Sequence, residues 1–427
     1  MLRKISIFLI AAMLGTLLSL SCSDDVNYDK LDWTSYDDSD GSSDSDDSDD
    51  DDDSSDDSSD DSGSTTAVGT SSFPRSIVYT AGEDIYNTIR IPVIVKSPVT
   101  GTLFAFAEGR TDSSSDFGDI DIIVKTSTDL GATWSDITVV AEDGTNRCCN
   151  PVAVALESGR ILLMYIWSVG TDDDDADIHK VYYTYTDDDG ETWASKTDIT
   201  EQVQLSTEYR YMTGPVHGIV KQYEPNAGRI IIPTRCPSTV SRSTGNCHVI
   251  YSDDGGVTWE KGGFSDFTTG NENTVCELAD GSILMNMRNT NSSNYYRYDC
   301  TSTDGGESFG HYRMTSLIEP ASGCLGSLLT YGIDSSTGEA IVLFSNPNHT
   351  SSRRYGSIKV SVNSGDNWTL NYQYVPSSGN WMYSAYSDLV MVDDTTIGVL
   401  TENGSSYNRI VFTTVAYEDI VDEYEYQ

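Results

Sequence analysis

The sequence predicts an all-β protein, a six-bladed β-propeller, and three observations carry the prediction. Tyr (26) and Gly (35) are abundant, Ser and Thr are plentiful, and no long segment shows the 3.6-residue apolar period of an amphipathic helix. A turn of the form Ser/Thr-x-Asp-x-Gly-x-Thr-Trp recurs as STDLGATW (127–134), TDDDGETW (186–193), SDDGGVTW (252–259), STDGGESF (302–309) and the decayed SVNSGDNW (361–368). The aromatic ends lie 59, 66, 50 and 59 residues apart. A period of that length in a β-rich chain is one supersecondary unit repeated, and such units are propeller blades.

Before the repeats come two segments of another kind. MLRKISIFLIAAMLGTLLSLSC has a basic start, an apolar run and small residues before Cys22, which predicts an export signal over 1–21. The end resembles a bacterial lipobox, with Ser19 where Leu is usual, so cleavage before Cys22 and lipidation of that residue is the favoured expectation and a plain signal peptide the alternative. Residues 22–72 are dominated by Asp and Ser. They offer almost no apolar surface and repel one another, which predicts an extended acidic tether. The tether lacks the spaced ligands and fixed Gly of a calcium loop. These two segments predict an exported lipoprotein of a Gram-negative bacterium, in the outer membrane, at the cell surface or in the periplasm, touching membrane only through its lipid.

From residue 73 to 427, expected to be the single folded domain, 48 acidic and 22 basic side chains remain, a net charge of −26. Nucleic acid is therefore an unsuitable partner. An anionic ligand needs a local cluster of Arg, because distant charge is screened beyond about 10 Å. Seven cysteines follow Cys22, with no CxxC and no zinc spacing. Cys236 and Cys247 flank a Ser/Thr-rich loop and are candidates for a disulfide in an exported protein. DDDDADIH (172–179) reads as a solvated hairpin tip rather than a metal site.

Each element of the repeat has a reason. In the recurring turn, Asp accepts bonds from backbone N–H groups and Gly supplies a positive φ. The terminal Trp or Phe then tucks between neighbouring sheets. Such turns belong at the rim and are structural. IRIPVIV, TLFAFAEG, DIDIIVKTS and the run after Trp134 make four strands of one blade. Further sets begin at NPVAVALESGRILLMYIWS, GPVHGIVKQYEPNAGRIIIPTR, NTVCELADGSILMNMRN and GCLGSLLTYG. A sixth runs from YSAYSDLVMVDDTTIGVLTENG to RIVFTTVAY, and SIVYTAG near residue 76 is expected to join that last sheet and close the ring.

These Asp-box turns, with Arg-Ile-Pro in the first blade, resemble the bacterial sialidase family, six-bladed propellers that remove terminal sialic acids. The resemblance runs over the whole of residues 73–427. It implies a carboxylate-bearing sugar as substrate, on a glycoprotein, glycolipid or oligosaccharide, no cofactor, and a monomer. Planar guanidinium forks bind a carboxylate in bidentate fashion, and the family takes three from three blades. Here they match Arg90 in IRIP, Arg288 in ELADGSILMNMRN and Arg353 in NPNHTSSRRYGSIKVS, with Arg354 competing for the third place.

A carboxylate nucleophile attacking a carbon beside another carboxylate meets like-charge repulsion, and sialidases use Tyr instead. The resemblance assigns that Tyr to Tyr386 in SAYSDL, with Tyr383 and Tyr298 as rivals, and its base to Glu272 in GNENTVCEL. A phenol near pKa 10 needs such a base. Glu277, at odd spacing from Glu272, reads as structural. In EGRTDSSSDFGDIDIIV the match for the loop acid/base is Asp116, with Asp112 as runner-up and Asp119 and Asp121 structural. Arg110 matches an Arg that supports substrate and loop. In NRCCNPVAV, Asn150 stands where several members have Asp, at the edge of the sugar that carries the N-acetyl group.

Three activities fit these residues. A retaining exo-α-sialidase uses all of them. A trans-sialidase uses the same site but passes the sugar to another hydroxyl. A non-catalytic propeller that binds glycans needs the turns alone, and has no use for Tyr386 and Asp116 together.

Overall fold

Every repeat folds as a small antiparallel sheet. The computed structural model describes residues 75–425 apart from 172–177, 206–207, 209, 238–244, 291–293, 380 and 406. They belong to one compact unit, Ala67–Gln427. The export signal, Cys22, the acidic tether and most of the DDDDADIH tip lie outside the described residues.

β1 (Arg75–Thr80) opens the described chain. β2 (Thr88–Lys96), β3 (Leu103–Arg110), β4 (Ile120–Ser127) and β5 (Thr138–Ala141) form an antiparallel meander. β6 (Arg147–Ala155), β7 (Ile161–Ser168), β8 (Lys180–Thr186) and β9 (Thr197–Asp198) form a second, joined to the first by one parallel pair, Ile120 with Arg147. After the short helix α1 (Thr200–Val203), β10 (Met212–Thr213) and β11 (Ile219–Val220) both pair with β12 (Ile230–Pro237), which continues into β13 (Gly245–Ser252) and β14 (Glu260–Phe264).

The fourth sheet is β15 (Gly270–Glu277), β16 (Ile283–Asn289), β17 (Tyr296–Ser302) and β18 (Arg313–Ile318). The fifth is β19 (Ser327–Ile333), β20 (Ala340–Pro347), β21 (Gly356–Ser361) and β22 (Leu370–Gln373). Last come β23 (Tyr383–Met391), β24 (Thr396–Gly404) and β25 (Arg409–Ala416). Their fourth strand is β1, antiparallel to β25, as SIVYTAG predicts. Helix α2 (Tyr417–Glu425), which no repeat predicts, stacks Tyr417 on Tyr331 at 3.9 Å.

The apolar residues of each sheet point to both of its faces, and separate core clusters fill the gaps between sheets. Val78, Tyr79, Ile94, Leu103, Leu400 and Phe412 bring the last sheet onto the first. Phe104, Phe106, Leu163 and Tyr165 join the first to the second, and Leu162, Met164, Ile232 and Ile250 the second to the third. Val249 meets Val275 and Met285 between the third and fourth, Leu284 meets Phe344 between the fourth and fifth, and Leu343 meets Leu389 between the fifth and last. First strands such as β2 are buried almost end to end, the pattern of a strand covered on both faces.

The recurring turns take the geometry that their sequence demands. In the first, Asp129 accepts from the Thr133 N–H at 2.9 Å and its hydroxyl at 2.6 Å, while Ser127 Oγ accepts from the Gly131 N–H at 2.9 Å. The same bonds recur at Asp188, Asp254 and Asp304. In the decayed copy Asn363 keeps the backbone bond, from Asn367 N–H at 3.0 Å, but Asn367 has no hydroxyl to give. Glycine is needed here for two reasons. Gly256 has φ +90 and Gly365 φ +85, and a Cβ there would stand 2.7 Å from Leu162 and 2.6 Å from Leu284, on the preceding sheet. The aromatic ends reach the same way: Trp134 lies edge-on to Phe412 at 5.5 Å and Trp193 edge-on to Phe106 at 5.9 Å.

The expected Cys236–Cys247 disulfide is not formed. All seven described cysteines are free and buried. Cys236 pairs in register with Asn246, and Cys247 with Arg235, so the two side chains leave opposite faces of the sheet. Cys236 lies in the cluster facing the second sheet and Cys247 in the one facing the fourth.

Candidate active site

A bulge at the start of β2 sets the first guanidinium. The register slips between Arg90 and Val93, and Ile91 adopts φ +58. A β-branched residue there stores about 1–3 kcal/mol of strain. Glu402, fully buried on β24 of the last sheet, holds the distortion: its Oε1 accepts from the Ile91 N–H at 3.0 Å and from Arg90 Nε at 3.1 Å. The second sheet repeats the device at Asn150, φ +53, in a bulge between Cys149 and Val152. There Glu108 Oε1 accepts from the Asn150 N–H at 2.7 Å, and its Oε2 from Arg110 Nε at 3.1 Å. Asn150 Nδ2 is turned to the Thr213 carbonyl, 3.2 Å away on the third sheet.

Tyr386, on β23, directs its hydroxyl to Glu272 Oε1 on β15 at 2.7 Å. Arg288 Nη1, on β16, donates to Glu272 Oε2 at 2.7 Å and to the Tyr386 oxygen at 3.1 Å. Burial and the Glu272 carboxylate push the Tyr386 phenol well above its usual value, against the pull of Arg288 and Arg353. Burial works against the charge on Arg288 and Arg90 too, but the carboxylates of Glu272 and Glu402 hold the two guanidiniums more firmly ionised than usual. Arg353, in the loop between β20 and β21, has its guanidinium 5.6 Å from the Tyr386 ring centre, and Arg90 lies at 5.7 Å.

A tight turn ahead of β19 seats two of these groups. Gly323, at φ +56, leaves no room for a Cβ beneath Arg288 Nε. Its carbonyl accepts from Arg353 Nη2 at 2.8 Å and Nε at 3.2 Å, while the neighbouring Ser322 carbonyl accepts from Arg288 Nη2 at 2.8 Å. Arg354, the rival of Arg353, makes an isolated bridge with Tyr383 through its backbone.

Asp116 stands over the cluster with its side chain 74% exposed. Arg110 Nη1 donates to it at 2.7 Å and Arg90 Nη1 lies 3.7 Å away. The protein crowded round it works to raise its pKa, yet Arg110, Arg90 and Arg147 prevail and hold the carboxyl below its usual range. The loop is pinned by Arg110 Nη1 to the Ser114 carbonyl at 2.6 Å and Arg147 Nη1 to the Asp116 carbonyl at 2.8 Å. Among the other carboxylates, Asp121 accepts from the Tyr86 hydroxyl at 2.9 Å and burial pushes it up to about 6. Glu277 accepts from Lys221 Nζ at 2.6 Å at the far end of β15.

The structure therefore brings Arg90, Arg288, Arg353, Arg110, Tyr386, Glu272 and Asp116 together, with Asn150 joined to them through Glu108. Of the rival Tyr residues, Tyr298 stacks on Phe267 at 4.1 Å and Tyr383 lies edge-on to Tyr407 at 5.1 Å. Glu402, Glu108 and Tyr407 were not singled out from the sequence. Glu108 was findable: it precedes Arg110 by two on one strand face. Glu402 is sixteen residues from Tyr386, and only the β23–β24 pairing makes it a neighbour.

Fold and site define a class: an all-β repeat protein in which three guanidiniums surround a phenol bonded to a carboxylate. The BNR repeat-like domain model matches residues 101–399. A sialidase of Bacteroides fragilis is 29% identical over 364 residues, which cover 80% of this chain and 64% of that protein. One from Micromonospora viridifaciens is 30% identical, covering 76% and 51%. The solved structure of a Hadza microbial sialidase superposes with a TM-score of 0.70 at 28% identity, over 80% of this chain and 68% of that one. The chain belongs to the BNR repeat-like family and, with these relatives, to the bacterial sialidase family. It spans less than two thirds of the length of those two curated relatives.

Proposed function

We propose that the protein is a retaining exo-α-sialidase, a glycoside hydrolase that releases terminal sialic acids from glycoproteins, glycolipids or oligosaccharides. The observation that carries the reading is the 2.7 Å bond between the Tyr386 hydroxyl and Glu272, set among Arg90, Arg288 and Arg353. The three forks hold the substrate carboxylate and so orient the anomeric carbon. Glu272 takes the phenol proton as Tyr386 attacks that carbon. A phenol pushed above its usual pKa is a poor nucleophile without such a base, and neutral Tyr avoids the repulsion a carboxylate would meet.

Asp116 gives its proton to the leaving oxygen, then takes one from the water that hydrolyses the tyrosyl-linked sugar. Its carboxylate leans on Arg110 and Arg90. A substrate carboxylate seated on Arg90 brings a second negative charge beside Asp116, and that repulsion favours the protonated acid.

The six sheets are read as the blades of a closed propeller with the site at its axis. Support comes from the cyclic order of the apolar clusters and from Asp388 on β23. Its carboxylate accepts from the Ile94 N–H at 2.9 Å, the His217 N–H at 3.1 Å and Ser327 Oγ at 2.8 Å, and so gathers β2, β19 and the segment before β11. Ahead of this domain, taken as 73–427, a lipid on Cys22 and the acidic tether are proposed to hold the enzyme at the membrane and let it reach outward.

A fluorogenic sialoside assay on the full chain tests the reading. Activity in the parent, with a loss of about a thousandfold or more in Tyr386→Phe, is expected. Retention at the anomeric carbon, followed by NMR, and free sialic acid rather than a transfer product complete it. A folded parent that releases no sialic acid from any linkage overturns it.

A further inference from the structure

Tyr407 sits in the turn between β24 and β25, outside the residues assigned a role above, yet it touches two of the three guanidiniums. The Arg90 guanidinium lies over its ring at 4.0 Å, and Arg353 Nη1 donates to its hydroxyl at 2.7 Å. Its own geometry is fixed. The backbone holds φ +53, the Ser405 N–H donates to Asn408 Oδ1 at 3.0 Å, and the Ala81 N–H donates to the Asn408 carbonyl at 2.9 Å. Tyr383 supports the ring edge-on at 5.1 Å. Among the hydrogen bonds of the described residues no carboxylate accepts from Tyr407, so it has no base, in contrast to Tyr386.

We propose that Tyr407 is a positioning residue of the carboxylate-binding site, setting the spacing and tilt of Arg90 and Arg353 with one rigid ring. The inference rests on the sialidase reading. A guanidinium stacked on an aromatic face keeps its N–H edge free for a ligand. Arg90 spends Nε on Glu402 and rests its flat face on Tyr407, which leaves its Nη groups turned to the site. Arg353 spends Nε and Nη2 on Gly323 and Nη1 on Tyr407, and one N–H on each Nη remains, the fork that matches a carboxylate. Without the ring Arg90 loses its platform; without the hydroxyl Arg353 loses the contact that stops its rotation about the Gly323 anchor.

Tyr407→Phe keeps the platform and removes the hydroxyl, and Tyr407→Leu removes both. The full chain and both variants are assayed on a fluorogenic sialoside. Binding is measured for the 2,3-unsaturated sialic acid analogue and for its methyl ester, which offers no carboxylate. Tyr407→Phe is expected to raise KM, and the Kd of the acid, about tenfold with kcat within about twofold. Tyr407→Leu raises both further, and neither variant changes the weaker binding of the ester. Variants of unchanged Tm that bind the acid as the parent does overturn the proposal and leave the sialidase reading intact. So does a fall in kcat and Tm with KM and Kd untouched, the mark of a purely structural residue. A folded parent that neither cleaves the sialoside nor binds the acid overturns both. If Tyr407→Leu does not fold, Tyr407→Phe alone decides.

Discussion

At the residue scale the site is a set of charges that neutralise one another until a substrate arrives. Glu272 is shared between Arg288 and Tyr386, and Asp116 between Arg110 and Arg90. Removing the base tests the first pair. Glu272→Gln keeps the shape and an acceptor for the phenol but not the charge, and a general base of this kind contributes about 10²–10⁴ in rate. The expected result is a fall of that size in kcat with the Tm of the parent kept. A folded variant of parental kcat would show that another group activates Tyr386.

At the element scale the recurring turns matter to stability rather than to chemistry. Hydrogen bonds from Thr258 and Ser252 hold the Asp254 carboxyl down to about 2, and those from Thr133 and Ser127 do the same for Asp129. A folded-state pKa below the unfolded one contributes stability that is fully present above about 4, the unfolded value, and is lost as pH falls towards 2. The urea midpoint of the parent should therefore drop between pH 4 and pH 2. Asp129→Asn with Asp254→Asn should flatten that drop while lowering the midpoint at pH 7. The two Asn keep one turn bond each, as Asn363 does in the fifth copy. Equal pH dependence in parent and variant would show that the turn carboxylates do not govern it.

At the scale of the whole molecule β1 is the piece that joins the ends of the folded chain. It completes the last sheet beside β25, and Tyr79, fully buried, donates its hydroxyl to the Ala105 carbonyl of the first sheet at 2.7 Å. A chain that begins at residue 82 loses Val78 and Tyr79 from that core and leaves β25 as an open edge, which invites pairing with other chains. Deletion is expected to lower Tm by roughly 10 °C and to produce concentration-dependent aggregation. Scanning calorimetry and light scattering measure both, and an unchanged Tm would make β1 dispensable. None of the site residues named above lies on β1, so residual activity in the fraction that stays folded is the expected companion result.

The amino-acid sequence by itself determined the repeat, because the turn chemistry is local. Asp, Gly and the Ser or Thr hydroxyls interact within eight residues, and the interval between copies counts the sheets. It also pointed β1 towards the last sheet, where it pairs with β25. Family resemblance picked Arg90, Arg288, Arg353, Tyr386, Glu272 and Asp116, and these do meet in space. What only the tertiary structure decided is how they are held. Glu402 lies 312 residues from Arg90, and Arg353 lies 54 from Tyr407, contacts that the turn repeat does not specify. The disulfide failed for the same reason in reverse: Cys236 and Cys247 are close along the chain, but strand pairing sends their side chains to opposite faces. Local backbone preferences write the elements, while the partners of a buried charge are chosen by whichever sheets pack face to face.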